Sequence, residues 1–207
     1  MAREMDLRRD CYDFTRNWFR ARNLETFRKY VHPRWAGLPI TYLEIGVFEG
    51  MSMCWMFEHV LTSLESKAVG IDPWIMTTKL DNDYMYEVME RAYRNTDSWL
   101  GRRILVRGSS VEVLRRMLGR GGYKGISKQS VDLAMIDGDH NRLGAYDDAR
   151  NCLELVKPGG QILFDDVEND RQKQDHVKDA IEMFLADFGD RVKQVWKHKY
   201  MECYEVL

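Results

Sequence analysis

Cysteine is scarce and unpatterned. The four thiols (Cys11, Cys54, Cys152, Cys203) include no C-x-x-C pair. That argues against a disulfide scaffold and reads as the reduced thiols of an intracellular protein. A zinc-binding Cys/His set is missing as well. No internal repeat and no low-complexity tract is visible. No apolar run approaches the length of a membrane span, and the charged stretch Met1–Asp10 does not read as a signal peptide. A cytoplasmic location is therefore expected. Excess charge is lacking too. With 31 basic and 33 acidic residues the net charge is −2, so no global field draws the chain to nucleic acid or anionic lipid. Neither is expected as a partner. The fingerprint G-x-G-x-x-G is absent, which counts against NAD or FAD.

What is there is 207 residues, 44% hydrophobic and 31% charged, which fits one globular domain with a sizeable core. The chain is organised around Thr41–Ser52, TYLEIGVFEGMS. Tyr42–Ile45 reads as a buried strand, Gly46 to Gly50 as a turn, and Ser52 as the start of a helix. An acid at the strand end, Glu44, needs a partner if buried. Gly46 and Gly50 let backbone approach a ligand closely, and the helix N-terminus offers free N–H groups.

Before this stretch, Met1–His32 is rich in arginine and aromatics, with Cys11, Phe14, Trp18 and Phe19 near helical spacing. One or two amphipathic helices are expected, ended by His32-Pro33 and the loop to Pro39. They fit an accessory cover on the core, a lid over a ligand, or a dimer contact. Residues 1–39 are taken as this cap and 40–207 as the main domain.

After it, Ser52–Leu64 predicts a helix with Met53, Trp55, Met56, Val60 and Leu61 on its apolar side. A strand Ala68–Ile71 ends in Asp72-Pro73. An acid there suits a ribose diol in a doubly wound sheet, or serves as a turn former before proline. Pro73–Gly101 is long for a connection, with a helix expected over Tyr84–Tyr93 that is either a substrate-contacting flap or ordinary packing. Arg103–Arg107 is the third strand. Gly108-Ser109-Ser110 then gives a turn and N-cap whose hydroxyls could touch an adenine ring, and a helix from Val111 follows. Gly119–Ser130 reads as a solvated loop.

The block Val131–Val167 predicts a strand Leu133–Ile136 stopping at Asp137-Gly138-Asp139-His140. A helix Leu143–Val156 is stopped by Lys157-Pro158-Gly159-Gly160, and a strand Gln161–Phe164 stops at Asp165-Asp166. Neighbouring parallel strands would bring Asp137, Asp165 and Asp166 to one rim. Their mutual repulsion calls for cations, and all-oxygen ligands favour Mg²⁺, Mn²⁺ or Ca²⁺. Acidic turns and caps without an ion are the alternative. His140 on the same rim fits a base or a solvated loop histidine. A helix Gln174–Phe188 and a hairpin of Arg191–Lys197 with Tyr200–Leu207 complete an α/β, mostly parallel, doubly wound sheet of seven strands, closed by an antiparallel C-terminal strand.

From Tyr42 to Leu207 the chain resembles class I S-adenosylmethionine-dependent methyltransferases. LEIGVFEGMS, GIDPW, RGSS, MIDGDH, KPGG and LFDDV are similar to their successive motifs. Within the class it is most similar to metal-dependent O-methyltransferases of the catechol, caffeoyl-CoA and macrolide-sugar types. Asp-Asp and a histidine, in place of the catechol type's Asp-Asn and lysine, bring it nearer the sugar-modifying branch. The resemblance implies S-adenosylmethionine held by Glu44, Gly46, Phe48, Gly50, Ser52, Asp72, Pro73, Trp74, Gly108, Ser109, Ser110 and Asp137. It implies a divalent cation on Asp137, Asp165 and Asp166; Asp137 and, from its place on the rim, His140 are the expected catalytic residues. The expected partner is a small molecule bearing a hydroxyl and a vicinal oxygen, such as a sugar diol or catechol. A homo-oligomer through the N-terminal helices is the further expectation. The other readings are a metal-independent methyltransferase, a hydroxylase-like relative and a non-catalytic cofactor-binding protein.

Overall fold

The computed structural model describes residues 6–7, 12–75, 79–167 and 177–207, and of 79–82 only the backbone. Cys11 and Gln174–His176, which the sequence reading placed in helices, lie outside the described residues.

Seven strands form one sheet: β1 (Thr41–Ile45), β2 (Lys67–Asp72), β3 (Arg103–Arg107), β4 (Val131–Ile136), β5 (Val156–Phe164), β6 (Val192–His198) and β7 (Met201–Val206). Their order is β3-β2-β1-β4-β5-β7-β6. The first five are parallel, and β7 runs antiparallel between β5 and β6. The order reverses at β1, which pairs with β2 on one side and β4 on the other. Such a switch point opens a crevice beyond the carboxyl ends of the strands.

The pleat divides the core in two. Leu43, Ile45, Val69 and Ile71 turn to a face shared with α6 (Ser110–Leu118), α7 (Arg142–Leu155) and α8 (Val177–Phe188). Tyr42, Ala68 and Leu133 turn to the other, which carries α4 (Met51–His59), α5 (Lys79–Asn95) and the N-terminal helices α1 (Trp18–Arg22), α2 (Leu24–Thr26) and α3 (His32–Trp35). Strands covered on both faces are mostly apolar, as parallel sheets favour, with Glu44 a buried acid within β1.

Several boundaries differ from expectation for identifiable reasons. Pro33 does not end the N-terminal helical path but stands in the first turn of α3. A π turn over Phe27–Val31 precedes it, and proline is tolerated in a first turn, where its missing N–H is no loss. α4 stops at His59 instead of Leu64, where the Leu61 N–H reaches back to the Met56 carbonyl at 2.7 Å. The Arg102 guanidinium then takes the carbonyls of Leu61 (2.8 Å) and Ser63 (2.7 Å). α4 also has no polar side: Met51–Phe57 are all buried, with Trp55 under Phe19 and Phe27 from the N-terminal helices. The Lys-Pro-Gly-Gly turn is drawn into β5, because β4 and β5 pair again at Val131–Val156 beyond a bulge. α5 is longer than Tyr84–Tyr93.

Candidate functional site

A cavity of about 660 Å³ opens over the carboxyl ends of β1, β2, β4 and β5. Its floor begins at the turn after β1. Gly46 has φ +89°, and a Cβ there would lie 1.9 Å from the Asp137 carbonyl oxygen. The closest constraint on this glycine is therefore the neighbouring strand end. Gly50, at φ +80°, occupies the N-cap of α4. Between them Phe48 has φ +51°, and Trp74 after β2 and Asp166 after β5 have φ +42° and +56°. Three non-glycine residues in the left-handed region at three strand ends concentrate backbone strain on this rim.

Asp72 offsets part of that strain. Its Oδ2 accepts the N–H groups of Val47 (3.0 Å) and Phe48 (2.9 Å), and its Oδ1 that of Trp74 (2.7 Å). The carboxylate thus fastens both turns, with one hydrogen bond on Oδ1 and two on Oδ2. Burial pushes its pKa up, against the pull of those three N–H groups. Glu44 is fully buried beneath the cavity and accepts the Ser52 hydroxyl on Oε1. Oε2 has no hydrogen-bond partner, and burial raises the pKa to about 8.

Phe48, Ser52, Asp72, Pro73, Ser109 and Ser110 line the cavity. Ser109 stands at the N-cap of α6 but makes no side-chain cap bond. Trp74 is turned away, 1% exposed, and its Nε1–H donates to the Phe48 carbonyl at 2.9 Å. Glu44, Gly50 and Gly108 support the walls rather than line them.

At the other end lie the acids. The N–H of Asp137 bonds the Ile45 carbonyl at 2.8 Å and that of Asp165 the Ile136 carbonyl at 3.0 Å. These bonds extend the parallel ladder and set both acids on one rim. Ligand atoms of Asp137, His140 and Asp166 fall within 4.8 Å of one another. His140 Nε2 is 3.3 Å from Asp166 and 3.8 Å from Asp137. Asp165 lines the same cavity, with its oxygens already engaged: its Oδ1 accepts the Asp166 N–H at 2.8 Å and its Oδ2 the Asn23 amide. Burial raises the pKa of Asp137 and lifts that of Asp165 well above the usual carboxylate range, with neighbouring acids adding to both. The Asp137 carboxylate raises that of His140 against the opposing effect of burial. Two hard carboxylates and an imidazole around one small volume are a donor set that fits a divalent cation.

Sequence reasoning missed Arg22, Asn23 and Glu49. The first two come from the α1–α2 junction, where no motif marks them. Arg22 Nη2 lies 2.6 Å from Asp166 Oδ1. Glu49 sits inside the glycine turn, and an acid between two glycines was a signal available to the eye.

A family profile described as a methyltransferase domain matches residues 43–167, from β1 through the second acid pair. The chain belongs to this methyltransferase family. It is a class I S-adenosylmethionine-dependent methyltransferase. A protein of Acanthamoeba polyphaga mimivirus, R132, is 26% identical over 168 residues, 80% of this chain and 68% of its own. Among solved structures, the O-methyltransferase from Bacillus cereus in complex with SAH aligns with TM-score 0.57 and 19% identity, over 88% of this chain and 80% of that one. TomG, an O-methyltransferase of Streptomyces achromogenes involved in tomaymycin synthesis, gives TM-score 0.61 and 16% identity over 88% and 78%. CalS11, a TDP-rhamnose 3'-O-methyltransferase of calicheamicin biosynthesis, gives 0.55 and 15% over 87% and 76%. At these identities the methyltransferase fold is what is shared. Among the described residues, no helix is long and apolar enough to cross a membrane.

Proposed function

We propose that this methyltransferase is an O-methyltransferase acting on a small molecule with a hydroxyl and a vicinal oxygen, a sugar diol or a catechol, assisted by a divalent cation. The observation that carries the reading is that one cavity joins the glycine turn after β1 to the Asp137–His140–Asp166 group. Cofactor and acceptor ends are then contiguous, as direct transfer from donor to acceptor needs. S-adenosylmethionine supplies the methyl group as a sulfonium. A divalent cation held by Asp137 and Asp166 would lower the acceptor hydroxyl's pKa.

The remaining work falls to this chain's own side chains. Ser109 and Ser110 present hydroxyls to the adenine end, and Asp72 offers Oδ1 to the ribose. Phe48 and the tilted Trp18 ring, 4.8 Å apart, give an apolar wall that suits a catechol or a sugar face. His140, half-exposed at the rim, accepts the acceptor's proton on Nε2 when neutral. The N-terminal segment caps the acceptor end.

The test is turnover with S-adenosylmethionine on a panel of catechols and vicinal sugar diols, with and without EDTA. Products heavier by one CH₂ on oxygen, lost with EDTA and restored by Mg²⁺, are expected. Oxygen insertion, or methylation at nitrogen or carbon alone, would overturn the assignment. The Arg22–Asp166 ion pair favours a second reading in which side-chain cations alone neutralise the acids. Turnover indifferent to EDTA selects it.

A further inference from the structure

The acids at the rim are already met by a cation of the chain itself. Arg22 Nη2 stands 2.6 Å from Asp166 Oδ1, and the Asp166 side chain is only 8% exposed. The guanidinium is held from the other side by the Tyr200 ring, 4.4 Å from its centre. The next residue, Asn23, donates its amide to Asp165 Oδ2. Its own Oδ1 is buried without a hydrogen-bond partner. Two consecutive residues of the N-terminal segment are thus committed to the acid pair that follows β5. The contact is an ion pair without hydrogen-bond geometry, since Asp166 Oδ1 is buried with no hydrogen-bond partner, so it acts through charge at short range in a largely buried setting. A divalent ion ligated by Asp166 must compete with it for the same oxygens.

We propose that Arg22 is a built-in competitor for the divalent cation: its guanidinium occupies Asp166 in the cation-free protein and is displaced when a cation binds. Seating of the N-terminal helices over the cavity and cation loading are then linked reciprocally. Cation binding frees Arg22 from Asp166, and the Arg22 contact weakens cation binding by the same factor. The inference rests on the cation reading above, and it makes Arg22 a positioning residue that acts through Asp166.

The test is calorimetric titration of Mn²⁺ into the full chain saturated with S-adenosylhomocysteine, for the wild type, Arg22→Ala, Arg22→Lys and Arg20→Ala. Removing an ion pair of this kind should tighten Mn²⁺ binding in Arg22→Ala by roughly tenfold or more. Arg22→Lys, which keeps a positive charge, should stay nearer the wild type. Arg20→Ala, on the same helix but paired with Asp6, should match the wild type and so controls for general loosening of the segment. Binding seen only in Arg22→Ala also supports competition. Equal or weaker Mn²⁺ binding in Arg22→Ala overturns the inference while leaving the cation reading standing. Absence of Mn²⁺ binding in every variant removes the cation reading and the inference with it. Hydrogen exchange of the wild type covers the case of a misfolded variant. Peptides from 18–35 should exchange faster with saturating Mn²⁺, and unchanged or slower exchange counts against linkage.

Discussion

Glu49 accepts two hydrogen bonds from Thr15, one from its backbone N–H at 2.7 Å and one from its hydroxyl at 2.6 Å. A side chain 2% exposed in the glycine turn therefore anchors the chain that leads into the N-terminal helices. Asn95 at the end of α5 adds to the clasp. It accepts the Asp13 N–H at 2.8 Å and donates to the carbonyls of Asp13 and Glu49. Glu49→Ala should cost about 2–3 kcal/mol, since bonds to a charged acceptor are lost and the Thr15 N–H is left without its partner. Urea unfolding measures the loss. Limited proteolysis between residues 12 and 22 should speed up in parallel. A variant as stable and as resistant as the wild type would mean that this strap is held by something else.

Glu44 sets a pH dependence of stability. Its folded pKa, about 8, lies above the model-compound value of 4.5 because burial penalises the charged form. Between those values the folded protein keeps a proton that the unfolded chain has released. The favourable contribution is full below pH 4.5 and is lost as the pH rises toward 8, at up to about 1.4 kcal/mol per pH unit. Glu44→Gln has no such proton to lose. Its stability relative to the wild type should therefore climb between pH 5 and 8 in urea titrations. Parallel curves across that window would show that Glu44 is not held protonated.

Gly46 separates two explanations of a glycine turn. A Cβ there meets the Asp137 carbonyl at 1.9 Å, and that carbonyl belongs to the sheet. Gly46→Ala should destabilise the protein without any cofactor present, on the order of 4 kcal/mol or more. Gly101→Ala, where nothing lies within 4 Å, should stay within about 0.5 kcal/mol of the wild type. Thermal unfolding of the two ligand-free variants makes the comparison. A stable Gly46→Ala that merely fails to bind S-adenosylhomocysteine would return the glycine to a ligand-approach role.

How much of this was legible in the sequence depended on how local the cause was. Four of the five parallel strands announced themselves as short apolar runs ending in Glu-x-Gly, Asp-Pro, Asp-Gly-Asp or Asp-Asp, because burial on both faces and a polar rim leave that pattern. The convergence of Asp137 and Asp166 followed once β4 and β5 were taken as neighbours. What stayed hidden was long-range. Asn23 meets Asp165 across 142 residues, and Arg102 closes the end of α4 from 41 residues away. Gly46 lines the cavity, and its packing on a strand end 91 positions later in the chain was not visible from its own neighbourhood. Asp165 and Trp74 were assigned by motif position. Trp74, at positive φ, is turned from the cavity, whereas Asp165 lines it with both carboxylate oxygens engaged by Asn23 and the Asp166 N–H.

Asp72 gives the sharpest division between binding and architecture. The sequence suggested a ribose ligand or a turn former, and its two oxygens accept three backbone N–H groups, from Val47, Phe48 and Trp74. Two of those residues, Phe48 and Trp74, hold positive φ, a conformation costing roughly 1–3 kcal/mol each that needs such anchoring. Asp72→Asn puts an amide donor where one acceptor oxygen was, facing an N–H group. The variant should lose about 2–3 kcal/mol of stability in the absence of any ligand. Its affinity for S-adenosylhomocysteine should fall as well, because the turns that form the cavity floor are no longer fixed. A ribose contact alone predicts the second effect without the first. Thermal unfolding of the ligand-free variant therefore decides: a wild-type melting temperature with weakened binding makes Asp72 a ligand residue only. A lowered one makes it the brace of both turns.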